Sequence, residues 1–185
     1  MTQRIGQLLL LLGATACVQP TEETEAVRKD YIKDASANFY HEAFVATVPT
    51  AYWRICELVV RDGFEFEKII GVSGLDIVDG GIVDSHRTVS LTYQGKVALH
   101  VQQPIGIRNA CYLNGWTNDI DAAPAMISEA ISAINCSTFD EIEPNPDFLA
   151  MGGRSFVCGD KILHTAVREL KPDEIAVGIA VEQRG

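Results

Sequence analysis

The stretch from Val89 to Ile134 constrains the fold of this chain more than any other. It opens with two runs of alternating apolar residues, Val89, Leu91 and Tyr93, then Val97, Leu99 and Val101, separated by Gln94, Gly95 and Lys96. Such alternation reads as a half-buried hairpin. A two-residue turn would send the two apolar sets to opposite faces, because a one-residue slip flips every side chain. A three-residue loop, Gln94 to Lys96, pairs Leu91 with Leu99 and Val89 with Val101 and buries all six together. That is the expected register. A third short strand follows over Ala110 to Leu113.

The block closes with an amphipathic helix over about residues 121–134. Ala123, Met126, Ile127, Ala130, Ile131 and Ile134 recur at helical spacing and form one apolar stripe. Met126 is read as packing. Asn118 to Asp121 offer caps, and Pro124 suits the first turn.

Elsewhere the pattern is less regular. Val27, Tyr31, Ala35, Phe39 and Ala43 suggest a helix beginning near Glu25. A second helix is expected from Pro49 to Asp62, with Pro49 in its first turn and Gly63 past its end. Asp79, Gly80 and Gly81 suggest a turn between Ile77–Val78 and Ile82–Val83. Gly159 and Asp160 suggest another, between strands at 155–158 and 161–169. Ile175, Val177, Ile179 and Val181 make one large apolar face; Ala176, Gly178 and Ala180 make a small one, over which helices could pack closely. The fold expected is α+β: an antiparallel sheet of five to seven strands, with two or three helices mainly on one face.

The N-terminus carries Arg4, a short apolar run through Leu12, and small residues before Cys17. This is the layout of an export signal. The run is too short for a bilayer span, which needs about 20 residues. Cys17 after Ala14-Thr15-Ala16 resembles a bacterial lipoprotein box, in which the Cys becomes the lipid-bearing first residue; the usual Leu is replaced by Ala14. The organisation expected is a signal peptide over 1–16, a tether over 17–25 and one domain over 26–185. The chain would face the periplasm, membrane-anchored through a lipid on Cys17, or else be secreted there.

Five cysteines are present. With Cys17 lipidated, Cys56, Cys111, Cys136 and Cys158 remain, an even set that suggests two disulfides in an exported chain. The strand from Cys111 leads into the 121–134 helix, and the helix returns the chain toward Cys136. That geometry favours Cys111 with Cys136 and Cys56 with Cys158.

Chemistry is harder to find. The formal net charge is −10, which argues against nucleic acid as a partner, since phosphate contacts need clustered Lys and Arg. A protein partner is compatible with it. No Cys or His spacing fits a metal site, Asp76, Asp79 and Asp84 do not have EF-hand spacing, and no cofactor motif occurs. Ser73, His86 and Asp84 can be written as a nucleophilic set, and Cys158 with His164 as a thiol pair, but neither has supporting spacing. Trp53 and Trp116 could line a groove and more simply pack at a rim. Residues 137–153, with Asp140, Glu141, Glu143 and Asp147, read as an exposed acidic loop beside Arg154. The reading is an envelope protein with a non-catalytic binding or structural role. The alternatives are an acidic inhibitor of a basic exported enzyme, acting through that loop, and a hydrolase with an unrecognised site.

Overall fold

A computed structural model describes residues 36–62, 65–72, 74–107, 109–144 and 146–184. The leader, the tether, Cys17, the stripe from Val27 to Ala35, and Ser73 lie outside these residues.

The architecture is α+β, as expected. Eight strands form one antiparallel sheet in the order β1-β2-β3-β4-β8-β7-β6-β5. They are β1 (Ile77–Val83), β2 (His86–Tyr93), β3 (Lys96–Pro104), β4 (Ala110–Thr117), β5 (Phe139–Ile142), β6 (Ser155–Cys158), β7 (Lys161–Lys171) and β8 (Glu174–Gln183).

The two helices expected around Pro49 are one. Helix α1 runs through Ala37–Ala51, a π-helical turn at Tyr52–Cys56, and Glu57–Asp62. Ser36 caps it, accepting from the Phe39 amide. Pro49 removes one amide donor and crowds the preceding turn. The helix continues past it by widening into the π turn just downstream, a form that takes up such local strain. Burial outweighs the proline: Ala43, Phe44, Val48, Ala51, Ile55 and Val59 are all fully buried, and large apolar side chains contribute about 1.5–3 kcal/mol each on burial. Helix α2 spans Phe66–Val72, α3 spans Ala123–Ile134 and α4 spans Pro146–Ala150. All six predicted stripe residues of α3 are buried. Asp119 Oδ1 accepts from the amides of Asp121 and Ala122 in the turn before α3, whereas the N-cap residue of α3, Ala122, makes no side-chain cap bond.

The β2–β3 hairpin reconciles the two registers that the sequence sets against each other. Its turn is two residues, Gln94 and Gly95, both at positive φ (51° and 76°), as a type I′ turn requires. Tyr93 pairs with Lys96, and a bulge then shifts the register. Ala98 is the extra residue. Beyond it Leu91 pairs with Leu99 and Val89 with Val101, as expected. A bulge inserted into one strand does the work assigned to a longer loop.

The turn expected at Asp79–Gly81 is displaced. Strand β1 runs through it, and the chain reverses at Asp84 and Ser85, again both at positive φ. Strand β8 also faces the other way from the expectation. Its large residues, Ile175, Val177, Ile179 and Val181, lie in the core under the helices. Ala176, Gly178 and Ala180 therefore face the side of the sheet opposite α1 and α3.

All four expected cysteines are in disulfides, but the partners are exchanged: Cys56 bonds Cys111, and Cys136 bonds Cys158. Helix α3 does not fold back on the strand that feeds it. It packs over β7 and β8, which brings Cys136 beside β6. Cys111 is met instead by the π turn of α1. The phenol of Tyr52, in that same turn, lies 3.5 Å from Cys158 Sγ. Burial first, then Glu57 and Asp160, push this phenol up to about 12.

Candidate functional site

The order of strands divides the chain into two similar halves. In each, a helix precedes four antiparallel strands, and the fourth strands, β4 and β8, meet at the centre. Helix α1 packs on β2, β3 and β4; α3 packs on β7 and β8. The second hairpin of one half repeats that of the other. Ser90, Lys96, Leu99 and His100 on β2 and β3 correspond to Ser155, Lys161, Leu163 and His164 on β6 and β7. The register agrees throughout: Tyr93 pairs with Lys96 and Cys158 with Lys161, Leu91 with Leu99 and Phe156 with Leu163. The bulge residue Ala98 accounts for the one-residue difference in spacing.

Two rows of residues follow from this repeat on the helix-free face. One is Ser90, His100, Asn114 and Gly178; the other is Ser155, His164, Ala180 and Tyr112. They enter the sheet from opposite edges and meet on either side of the Leu113–Ile179 pair, where the pseudo-twofold axis passes.

Each row holds a Ser–His hydrogen bond. Ser90 Oγ is 2.8 Å from His100 Nδ1, and Ser155 Oγ is 2.6 Å from His164 Nδ1. Neither serine is placed for attack on a substrate, since Ser155 is 0 % exposed and Ser90 4 %. The other ring nitrogen of His164 faces Glu182 Oε2 at 3.7 Å. Burial pushes this imidazole below its ordinary value, and Glu182 offsets the shift in part. The His100 ring meets Trp116 edge-on, with centroids 4.6 Å apart. These contacts fix ring orientation and serve as positioning, not as a nucleophile and its base.

Of the sets written from sequence, Ser73 of the Ser73, His86 and Asp84 set lies outside the described residues, and the thiol pair is not available. Cys158 is held in a disulfide. His86 Nδ1 contacts the carbonyl oxygen of Asp84. Trp53 donates through Nε1 to the Ile134 carbonyl and packs edge-on against Tyr52, a rim role. Arg154 is clamped by both carboxylate oxygens of Glu141, at 2.8 and 2.7 Å, which matches the pairing with the acidic segment.

The two halves differ most between their first and second strands. The first half turns there in two residues, Asp84 and Ser85. In the second, residues 143–154 intervene and carry α4 across the helix-free face. The segment read as a loop is thus an edge strand, β5, followed by this short helix. Phe148 of α4 stacks flat on the His164 ring, with centroids 4.4 Å apart. Gly153 lets the segment return tightly: a Cβ there would collide with the Thr165 and Phe148 carbonyls. The Gly153 amide donates to the Phe148 carbonyl; beside it the Thr165 amide donates to the Arg154 carbonyl, and the Arg154 amide donates to Thr165 Oγ1.

Beneath α4 is a pocket of about 290 Å³. Its floor is Ala166, Gly178 and Ala180, and Phe148 and Met151 wall it on the α4 side. Tyr112, Asn114 and His164 are the polar residues of its lining. A Cβ at Gly178 would lie 2.8 Å from Asn114 Oδ1, so a larger residue there would displace the Asn114 amide. A second cavity of about 160 Å³, between α3 and β5–β7, has Arg154 at its rim, already engaged by Glu141. Among the described residues, no group of three or more His, Cys, Asp or Glu side chains is arranged to hold a metal ion.

Fold and site together define an α+β protein built from a repeated helix–four-strand unit, with a small pocket near its internal axis. Comparison with protein-family models, with curated proteins and with solved structures returned no match.

Proposed function

We propose that this chain is an exported, lipid-anchored binding protein of the bacterial envelope, without catalytic activity, and that the pocket beneath α4 is its binding site. The observation that carries the binding role is the position of α4. The repeat would close with a tight turn at that point; the second half instead carries a helix that walls a pocket over the smallest residues of the sheet. Concave, mostly apolar sites with a few polar atoms are the usual form of small-ligand pockets.

Export is supported by the charged, apolar and small-residue layout before Cys17 and by two disulfides, which persist in oxidising compartments. Lipid on Cys17 would leave the domain tethered through residues 18–25. Labelling with a radioactive fatty acid tests the anchor. The full chain should take up label and fractionate with membranes, and Cys17→Ala should do neither. An unlabelled, soluble wild type would overturn the anchored reading.

A further inference from the structure

We infer that the pocket beneath α4 takes a compact planar ring compound carrying no negative charge. This rests on the binding role proposed above and names the ligand class for the same site.

Shape gives the first argument. The floor is a strip of β-sheet without projecting side chains, since Ala166, Gly178 and Ala180 present at most a methyl group. A flat body can lie on such a strip and touch it over its whole area. The wall opposite is aromatic and thioether, Phe148 and Met151, and both groups pack favourably on ring faces or edges. The volume, at the lower end for ligand sites, suits one or two rings and not a long chain.

Charge gives the second. Among the described residues, no Lys or Arg lines the pocket, and Arg168, two residues beyond Ala166 on β7, is outside the lining. The charged group next to the lining residue His164 is the Glu182 carboxylate. An anion placed there would lose its hydration and meet a like charge, without a compensating partner. Polar recognition is available for a neutral ring. Asn114 spends one amide proton on Gln102 Oε1 at 2.6 Å, which leaves its second proton and Oδ1 over Gly178. Tyr112 lines the same pocket.

Methyl NMR of the mature protein tests this directly. The chain has three methionines, of which Met151 lines the pocket and Met126 is in the core. Indole should shift the Met151 methyl saturably, in the millimolar range or tighter, and leave Met126 in place. Indole-3-acetate and decanoate should bind at least tenfold more weakly. Ala166→Phe fills the floor from its open side and should abolish the indole shift; Met151→Ala, observed through the Tyr112 and Phe148 ring protons, serves should Ala166→Phe unfold. Tighter binding of either anion would overturn the ligand class and leave the binding role standing. No shift with any of the three, in a protein that purifies with a ligand and has been stripped of it by unfolding and refolding, would also overturn the class. No shift and no ligand on purification would overturn both.

Discussion

His100 and His164 occupy equivalent positions in the two halves of the sheet, each joined through Nδ1 to a serine on the neighbouring strand. Their surroundings differ, and the difference follows from α4. Phe148 covers His164, which is buried, whereas His100 has Trp116 at its edge and is only partly buried. The two serines should therefore respond differently to removal. Ser155→Ala strips the buried His164 of its partner where water cannot replace it, at a cost of about 1–3 kcal/mol. Ser90→Ala should cost under about 1 kcal/mol, because solvent can reach His100. Urea unfolding of the two variants checks the order; equal losses would contradict it.

The same covering sets a pH dependence. The folded-state value of His164 lies below its unfolded value, first through burial. The unfolded chain therefore binds a proton that the folded chain resists, so stability falls as pH drops below about 6.5. The imidazole proton resonances should titrate below that value, and the urea midpoint should decline from pH 7 to pH 5. A His164 that titrates above the ordinary range would contradict the assignment.

Gly153→Ala should displace α4. The added methyl would meet two backbone carbonyls, Thr165 and Phe148, and neither is the end of a flexible side chain. Overpacking of this kind costs about 1–3 kcal/mol. Loss of the ring-current shift of Phe148 on the His164 ring protons would report the displacement.

The disulfide assignment is open to direct mapping. Peptides of the unreduced mature protein should link Cys56 to Cys111 and Cys136 to Cys158. Their loops span 55 and 22 residues, so reduction should cost about 4 and about 3 kcal/mol by loop entropy. Recovery of a Cys111–Cys136 peptide would refute the topology.

That mapping separates what the sequence discloses from what it does not. The α3 stripe, the strands of the central hairpin and the number of bridged cysteines are local matters, settled by periodicity and count. The bridge partners are not local. They depend on α3 crossing to β7 and β8, a choice made by the second half of the chain. Pro49 misled for a related reason: burial of Phe44, Val48, Ile55 and Val59 along one face outweighs what a proline costs in isolation. The hairpin was half legible, since the pairing of Leu91 with Leu99 follows from burial, whereas the bulge at Ala98 leaves no compositional trace.

The site was the least legible part, although one signal was present. Ser90, Lys96, Leu99 and His100 recur as Ser155, Lys161, Leu163 and His164. Aligning those two segments would have located the repeat, and with it the point where residues 143–154 depart from it. Periodicity alone gave a loop there, because β5 is four residues and α4 five, each too short to show a pattern.

The central claim is that this chain carries a small ligand beneath α4. Native mass spectrometry of the protein released gently from the envelope measures it most directly, with Ala166→Phe prepared alongside. The wild type should carry a non-covalent mass of at most a few hundred daltons, absent from the variant. Neither protein carrying any mass beyond its own chain, or both carrying the same ligand, would contradict the account.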